Sequence, residues 1–195
     1  MVVAVISKNM LFKVFLSDTP DGDYQIRDYF NDVIGNIVYV DNKLQFNTNH
    51  NFEIQTDKGI VSSCIVSIGS VFNIKNIIDQ SIITVYVYSS NIENPIEVKP
   101  KKNKIVIGKA SDCDICYNSP YLKNHAYSLL NDKGMWFLDT IDDYVYVNDR
   151  LVKRKRVDHG DVIFVGGLKV FWLGDTVVVS GLLNNYTVQL NNSTF

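Results

Sequence analysis

The run Lys104-Ile-Val-Ile-Gly-Lys109 carries the clearest fold signal in this chain, together with Gly160-Asp-Val-Ile163 further along. Both runs contain β-branched residues beside a glycine, which is the pattern of a short strand bounded by a turn. His125-Ala126 and Val147-Asn148-Asp149 lie between them. The spacing predicts a domain of short strands and tight turns over the second half of the chain.

The same strand signal extends over the whole sequence. Val, Ile, Tyr and Phe alternate with polar residues in short runs, and Asn, Asp and Gly lie between the runs. The predicted strands are Phe12–Leu16, Ile37–Val40, Phe52–Gln55, Ile83–Tyr88, Lys104–Ile107, Met135–Asp139, Tyr144–Val147, Val162–Val165 and Lys169–Leu173. One or two helical turns are predicted around Asp28–Val33. The pattern predicts an all-β fold of the sandwich type.

The second half resembles the forkhead-associated (FHA) domain, a β-sandwich that binds proteins, often through phosphothreonine. The family's Gly-Arg is Gly108-Lys109 here, and its Ser-Arg-x-His is Leu122-Lys123-Asn124-His125. Its Asn-Gly is Asp143-Tyr144, and its Val-Asn-Gly is Val147-Asn148-Asp149. The Gly-Asp-x-Ile before the last strands is intact as Gly160-Asp161-Val162-Ile163. The resemblance implies that this region is a binding module.

The resemblance assigns two sets of residues. Structural roles are implied for Gly108, His125, Gly160 and Asp161, and a structural role is also expected for Asn148. We expect His125→Ala to cost about 1–3 kcal/mol through a buried network left unsatisfied. A degenerate phosphopeptide site is implied for Lys109, Lys123 and Asn148.

This implied phosphopeptide site differs from the family pattern in its chemistry. Lys109 and Lys123 supply point charges instead of the bidentate fork of arginine. Leu122 lacks the serine hydroxyl, and Asp143 places a negative charge where a phosphopeptide would lie. We therefore expect absent or very weak phosphopeptide binding.

A weak internal repeat divides the chain. Val40–Phe46 mirrors Leu130–Phe137 as strand, turn and strand, and Asp32–Ile34 mirrors Asp114–Cys116. The first copy lacks a segment corresponding to Asn118–His125. We predict two tandem FHA-like sandwiches, 1–80 and 81–181, with the boundary near 79–81, followed by a tail or extra strand over 182–195.

The tandem arrangement resembles the N-terminal region of the membrane-bound FtsK/SpoIIIE-type ATPases of bacterial type VII secretion. The likeness extends to Gly167–Gly174 and Thr176–Ser180, a last strand pair that closes the second domain. It implies a place on the cytoplasmic side of the cell membrane, anchored through segments beyond this chain. The implied partners are other components of the secretion machine or neighbouring subunits of the same protein.

Aromatic residues on loops are the candidate contacts for such a partner. Tyr117 and Tyr121 flank or occupy the segment after the Cys-x-x-Cys motif, and Asp143 and Tyr144 lie on a later loop. Tyrosine suits an interface because it buries a large area at a small cost in conformational entropy. The alternative is that these tyrosines only pack the end of the domain.

Composition argues against nucleic acid or membrane as partners. The net charge is −2, and no window approaches 18 consecutive apolar residues. Lys153–Arg156 is a basic run, for which we predict a solvated turn; nucleic-acid binding through it is a third, weaker interpretation.

Metal, cofactor and catalytic signatures are weak. Cys113 and Cys116 have Cys-x-x-Cys spacing, but one pair cannot close a tetrahedral site and no His or Cys partner pair is evident. On a strand the two thiols would also point to opposite faces. No nucleophile, P-loop or metalloprotease motif occurs. We predict a region that is not an enzyme and needs no metal or cofactor.

Two functions remain compatible with these residues. One is a docking module that binds its partner without a phosphate group. The other is a phosphothreonine reader that couples kinase signalling to secretion.

Overall fold

The structure is a computed structural model that describes residues 1–8, 10–16, 22–56, 59–89, 95–141, 144–183, 185–191 and 193–195. Throughout this described part the chain forms strands and turns and no helix, so the predicted all-β class is confirmed. The chain divides into two compact units, Met1–Asn91 and Ile92–Phe195. No helix long and apolar enough to cross a bilayer occurs among the described residues.

The described residues of the first unit form ten strands in two sheets. They are β1 (Val2–Ser7), β2 (Met10–Phe15), β3 (Asp23–Arg27), β4 (Val33–Val40), β5 (Lys43–Thr48), β6 (Phe52–Thr56), β7 (Gly59–Val61), β8 (Ser63–Val66), β9 (Val71–Asn76) and β10 (Ile82–Tyr88). One sheet has the order β2-β1-β10-β9-β6-β7, and the other has the order β3-β4-β5-β8.

One core cluster joins the two sheets of the first unit. Val3 and Val85 enter it from the first sheet, and Ile26, Ile37 and Phe46 enter it from the second. Each of these side chains is completely buried. Because each sheet hides one face against the other, the unit is a sandwich.

Within its described ranges the second unit forms twelve strands, also in two sheets. They are β11 (Ile96–Val98), β12 (Lys104–Gly108), β13 (Ile115–Tyr117), β14 (Tyr127–Asp132), β15 (Met135–Thr140), β16 (Tyr146–Val147), β17 (Arg150–Leu151), β18 (Arg154–Val157), β19 (Val162–Val165), β20 (Leu168–Trp172), β21 (Val177–Gly181) and β22 (Val188–Leu190). The sheet orders are β11-β21-β20-β19-β16-β17 and β18-β15-β14-β12-β13-β22.

Strand β20 shows the period of two that places its side chains. Leu168, Val170 and Trp172 are buried, whereas Lys169 and Phe171 between them are only partly buried. Alternate residues of a strand point to opposite faces of its sheet. The sequence pattern therefore decides which face of this strand lines the core.

Tight turns fix the register of several hairpins. Asp41 and Asn42 join β4 to β5 with φ of 50° and 59°, and Asn148 and Asp149 join β16 to β17 with φ of 48° and 65°. Two successive residues at positive φ are typical of the type I′ turn, which favours Asn and Asp. These dipeptides are also the turn signals in the sequence.

The repeat predicted from the sequence is present in one of its two parts. Both Val40–Phe46 and Leu130–Phe137 span hairpins, β4–β5 and β14–β15. The other match is wrong, because Ile34 lies in β4, which pairs antiparallel with β3, whereas Ile115 and Cys116 lie in β13, which runs parallel to β12.

The boundary between the units lies later than the predicted 79–81. Strand β10 pairs with β1 and β9, so it belongs to the first unit. Residues Val2–Ser7 were not among the predicted strands, although they form the strand that holds β10 in place. The predicted tail contains a strand, because β22 pairs with β13.

The predicted helical turns around Asp28–Val33 are wrong. The buried Asp28 carboxylate accepts hydrogen bonds from the backbone N–H of Phe30 at 2.9 Å and of Asp32 at 3.0 Å. Asn31 adopts a positive φ of 69°. The aspartate side chain therefore stabilises a tight turn, which ends where β4 begins.

Candidate functional site

The connections after β12 and β13 meet at one end of the second unit. The backbone N–H of Lys109 donates to the carbonyl of Lys123 at 2.9 Å, and that of Ala110 donates to the carbonyl of Asn124 at 3.0 Å. We name the surface formed by residues 109–114, 118–126, 141 and 144–145 the recognition end. The resemblance to FHA domains implies that the family's phosphopeptide site lies in this region.

Gly108 is required by the close approach of these two connections. A Cβ atom at this position would lie 2.1 Å from the carbonyl oxygen of Asn124. Any side chain would therefore push the second connection away from β12. This gives a physical reason for the glycine in the Gly108-Lys109 pair.

Ser119 anchors the connection of residues 118–126, and sequence reasoning missed it. Its side chain is fully buried; Oγ donates to the carbonyl of Gly166 at 3.0 Å and accepts from the backbone N–H of Tyr121 at 3.2 Å. Leu122 follows, with its N–H bonded to the Ser119 carbonyl at 3.2 Å and only 3% of its surface exposed. The position of the family serine is thus filled by an apolar side chain that helps to hold the connection down.

The two lysines of the predicted phosphate site lie on neighbouring backbone. Lys109 is half-buried, and Lys123 is exposed, with its Nζ 3.3 Å from the carbonyl oxygen of Ile141. Asp143, which we expected to oppose a phosphopeptide, lies outside the described residues.

Asn148 makes hydrogen bonds within the domain, in agreement with its expected structural role, whereas its ligand-binding role stays a prediction. Its Nδ2 donates to Asp161 Oδ1 at 2.6 Å, and its Oδ1 accepts from the backbone N–H of Val162 at 3.0 Å. Its own N–H donates to the Val162 carbonyl at 2.9 Å. The amide therefore ties the β16–β17 turn to the start of β19, and both of its polar atoms are engaged within the domain.

Asp161 is the centre of this scaffold network. Besides the Asn148 amide, its carboxylate accepts from Lys155 Nζ and from the backbone N–H of Asp158 at 2.9 Å. Burial of the carboxyl raises its pKa, but the bonds from Lys155, Asp158 and Asn148 together outweigh burial, so the pKa of Asp161 is lowered. Gly160, beside it, has a φ of 88°, which favours glycine.

The basic run Lys153–Arg156 is not the predicted solvated turn. Its last three residues begin strand β18, which pairs with β15. Lys155 is bonded to Asp161, and Arg156 to Asp158. Two of the four cations thus have acidic partners, because the run lies beside the Asp158–Asp161 turn.

His125 lies at the surface, so the predicted buried network around it is wrong. Its side chain is 43% exposed, and Nε2 is 3.1 Å from both carboxylate oxygens of Asp112. Because exposed pairs of this kind contribute about 0–1 kcal/mol, we now expect His125→Ala to cost less than the sequence suggested.

Tyr117 is a core residue and not the predicted interface residue. It belongs to β13 and is fully buried, with its hydroxyl accepting from the backbone N–H of Leu183 at 3.1 Å. The sequence predicted a loop directly after the Cys-x-x-Cys motif, but β13 extends through Tyr117. Tyr121 and Tyr144, in contrast, are 44% and 55% exposed.

The two cysteines of the Cys-x-x-Cys motif bond to different carbonyls. Cys113 Sγ donates to the carbonyl of Asn124 at 3.1 Å, and Cys116 Sγ donates to that of Lys109 at 3.3 Å. Burial, followed by the negative charges of Asp112 and Cys116, raises the pKa of the Cys113 thiol to about 11. One donor atom each from Asp112, Cys113 and His125 lies within 4.8 Å of the other two. The histidine partner that was not evident in the sequence is therefore present beside Cys113.

Comparisons with known proteins agree with this fold. Residues 105–166 match the family model of the FHA domain. The chain is similar in structure to the N-terminal FHA domain from EssC, a component of the bacterial type VII secretion apparatus, with a TM-score of 0.57, 14% identity and coverage of 98% of this chain and 97% of that one. It is also similar to the FHA-2 domain from the Mycobacterium tuberculosis ABC transporter Rv1747, with a TM-score of 0.36, 19% identity and coverage of 48% and 92%. No significant match exists among curated protein sequences.

Proposed function

Because residues 105–166 match the family model of the FHA domain, we propose that this chain is a protein-docking module whose partner binds without a phosphate group. FHA domains are protein-interaction modules. The proposal rests on the segment 118–126. This segment is held by internal hydrogen bonds, but Leu122 and Lys123 stand where the family pattern has the serine and arginine that bind phosphate.

The loss of phosphate chemistry can be argued atom by atom. The serine hydroxyl of the family pattern is replaced by the buried side chain of Leu122. Asn148 uses its amide to bond Asp161 and Val162. The charged donors that remain in the family positions are Lys109 and Lys123, whose ammonium groups cannot form the paired bonds that arginine makes to phosphate.

Exposed apolar side chains at the recognition end supply a surface for a protein partner. Tyr121, Ile141 and Tyr144 are 44%, 62% and 55% exposed. The backbone N–H of Ile141 donates to the carbonyl of Ala126 at 2.8 Å, so Ile141 is held against the end of the segment 118–126. Tyrosines on firmly held loops bury much area at little entropic cost when a partner binds.

The cellular setting we propose is bacterial type VII secretion. The chain would form the N-terminal, cytoplasmic region of a membrane ATPase and would dock other components of the machine or neighbouring subunits. Support comes from the fold shared with the EssC region over 98% of this chain, at 14% identity. In the first unit, residues 28–32 connect β3 directly to its partner β4. In the second unit, residues 109–126, which include β13, separate β12 from its antiparallel partner β14. We therefore also propose that the first unit is a degenerate FHA-like domain with no phosphate site.

Phosphothreonine reading is the second candidate. It is favoured by the bond between the Lys109 N–H and the Lys123 carbonyl, which places two lysines on adjacent backbone. Two cations at such a spacing can attract a phosphate even without arginine.

Calorimetry with a degenerate phosphothreonine peptide library separates the two candidates. We expect no binding, or binding as weak as that of the matching unphosphorylated library. A dissociation constant in the low micromolar range that is lost in Lys109→Ala or Lys123→Ala would contradict the proposal and support the phosphothreonine reader.

Docking itself is tested in the secretion ATPase that carries this region. We expect Tyr121→Ser combined with Tyr144→Ser to reduce secretion while ATPase activity of the isolated motor domains and the melting temperature of this chain stay unchanged. Tyr39→Ser, at a tyrosine that is 51% exposed in the first unit, is the matched control. Normal secretion by the double variant would contradict docking through the recognition end.

A further inference from the structure

We propose that Asp112, Cys113 and His125 form a binding site for a zinc-class divalent cation on the second unit. The site is built from two segments, residues 112–113 and residue 125, which the fold brings together. It stands independently of the proposed docking function.

The distances between the donor atoms suit a small tetrahedral ion. His125 Nε2 is 3.1 Å from each oxygen of Asp112, and all three donor atoms lie within 4.8 Å of one another. Zinc bonds of about 2.0–2.3 Å in a tetrahedral site place neighbouring donors about 3.3–3.8 Å apart. The carboxylate and imidazole already have nearly this separation, and the Cys113 sulfur lies within 4.8 Å of a donor atom of each.

The chemistry of the three ligands selects the class of metal. A thiolate, an imidazole and a carboxylate together suit zinc and related transition metals, whereas magnesium and calcium prefer oxygen ligands alone. Binding replaces the thiol proton of Cys113 with the metal, and the proton leaves to solvent.

One of the three ligands is buried, and the other two are accessible to solvent. Cys113 is 2% exposed, and its Sγ is held 3.1 Å from the carbonyl of Asn124, the residue before His125. The Asp112 and His125 side chains are 71% and 43% exposed. A hydrated ion can therefore reach the carboxylate and the imidazole first and then engage the buried sulfur.

Three protein ligands leave one tetrahedral position open. Among the described residues, Cys116 is outside the group of three, and its Sγ bonds to the carbonyl of Lys109 instead. Water would occupy the fourth position. The metal would connect residues 109–114 to residues 118–126 and thus stiffen the recognition end.

Cobalt substitution tests the site directly on the reduced 195-residue chain. A thiolate ligand gives Co²⁺ a near-ultraviolet charge-transfer band, and tetrahedral coordination gives intense visible bands. We expect one equivalent of Co²⁺ to produce both, and Zn²⁺ to displace it. Cys113→Ser should lose the charge-transfer band, and Asp112→Asn and His125→Ala should each weaken binding about tenfold or more.

The controls use the other thiols and a histidine from the same chain. Cys64→Ser, Cys116→Ser and His50→Ala should bind Co²⁺ like the unchanged protein. A melting curve without metal checks the fold of every variant. The Asp112 and His125 side chains are 71% and 43% exposed, so their substitution should not unfold the domain. These two variants therefore still test the site if Cys113→Ser unfolds.

Three spectroscopic results would overturn the inference: the lack of a charge-transfer band in the unchanged protein, an unaltered band in a folded Cys113→Ser variant, and loss of the band through Cys116→Ser alone. Unaltered Co²⁺ affinity in both Asp112→Asn and His125→Ala would also contradict it. The cluster would then be an Asp–His hydrogen bond beside a buried thiol.

Discussion

Asn148 and Asp161 are joined by a hydrogen bond of 2.6 Å between the amide Nδ2 and the carboxylate Oδ1, although 13 residues separate them in sequence. The bond connects the β16–β17 turn to the start of β19. Lys155 and the Asp158 backbone bond to the same carboxylate. Asn148 is thus part of the scaffold, as expected from the sequence.

Asp161→Ala should destabilise the second unit by about 2–3 kcal/mol, because it removes an almost fully buried acceptor and leaves its donors unsatisfied. Urea denaturation followed by fluorescence provides the measurement. Asn148→Gly should cost less, since glycine accepts the φ of 48° and only the amide is lost. Asn42→Gly, at a similar exposed turn in the first unit, is the control; an equal effect of Asn42→Gly and Asn148→Gly would contradict the network.

The stability contributed by Asp161 should depend on pH in the acidic range. The folded-state pKa is lowered from the ordinary value of 3.8, so the unfolded chain binds more protons there. The contribution is therefore fully present above that ordinary value and is lost as the pH falls through the folded-state pKa. We expect the gap in unfolding free energy between the unchanged protein and Asp161→Asn to shrink over this window.

Lys155→Met is the matched variant for this pH effect, because it removes the cation that helps to lower the pKa. It should reduce the acid sensitivity of the unchanged carboxylate. A gap between the unchanged protein and Asp161→Asn that stays constant with pH would show that the carboxylate gains nothing from ionisation.

Two fully buried tyrosines should respond in opposite ways to loss of the hydroxyl. Tyr127 Oη has no hydrogen-bond partner within the part of the chain that the structure describes, and burial raises its pKa. Tyr127→Phe should therefore leave stability unchanged or increase it by up to about 1 kcal/mol.

Tyr117→Phe should cost about 1 kcal/mol, because the Tyr117 hydroxyl accepts from the Leu183 N–H and lies 3.4 Å from its carbonyl. Thermal unfolding of the two variants side by side provides the comparison. A larger loss in Tyr127→Phe than in Tyr117→Phe would contradict this assignment.

Gly108→Ala should displace the connection of residues 118–126, since the new Cβ would lie 2.1 Å from the Asn124 carbonyl. We expect a loss of about 1–3 kcal/mol and weaker amide protection at Ala110, measured by hydrogen exchange. Gly134→Ala is the comparison: its Cβ meets no atom within 4 Å, so its cost comes only from the φ of 85°. Equal amide protection of Ala110 in both variants would contradict the role of the close approach.

The sequence by itself determined the strand class and much of the turn chemistry. The period of two in segments such as Lys169–Leu173 predicts a half-buried strand, because alternate side chains face the core. Asp41-Asn42 and Asn148-Asp149 predict turns because both residue types tolerate positive φ. These signals are local, so they can be read without knowing what packs against them.

Tertiary structure decided the features that depend on partners distant in sequence. Strand β10 joins the first unit because β1, at the start of the chain, pairs with it. Tyr117 is buried because Leu183 lies over its hydroxyl, and Asn148 is engaged because Asp161 is its neighbour. His125 stands beside Cys113 because the approach at Gly108 brings two connections together. Each depends on how the strands pair and pack, which a pattern of neighbouring residues does not contain.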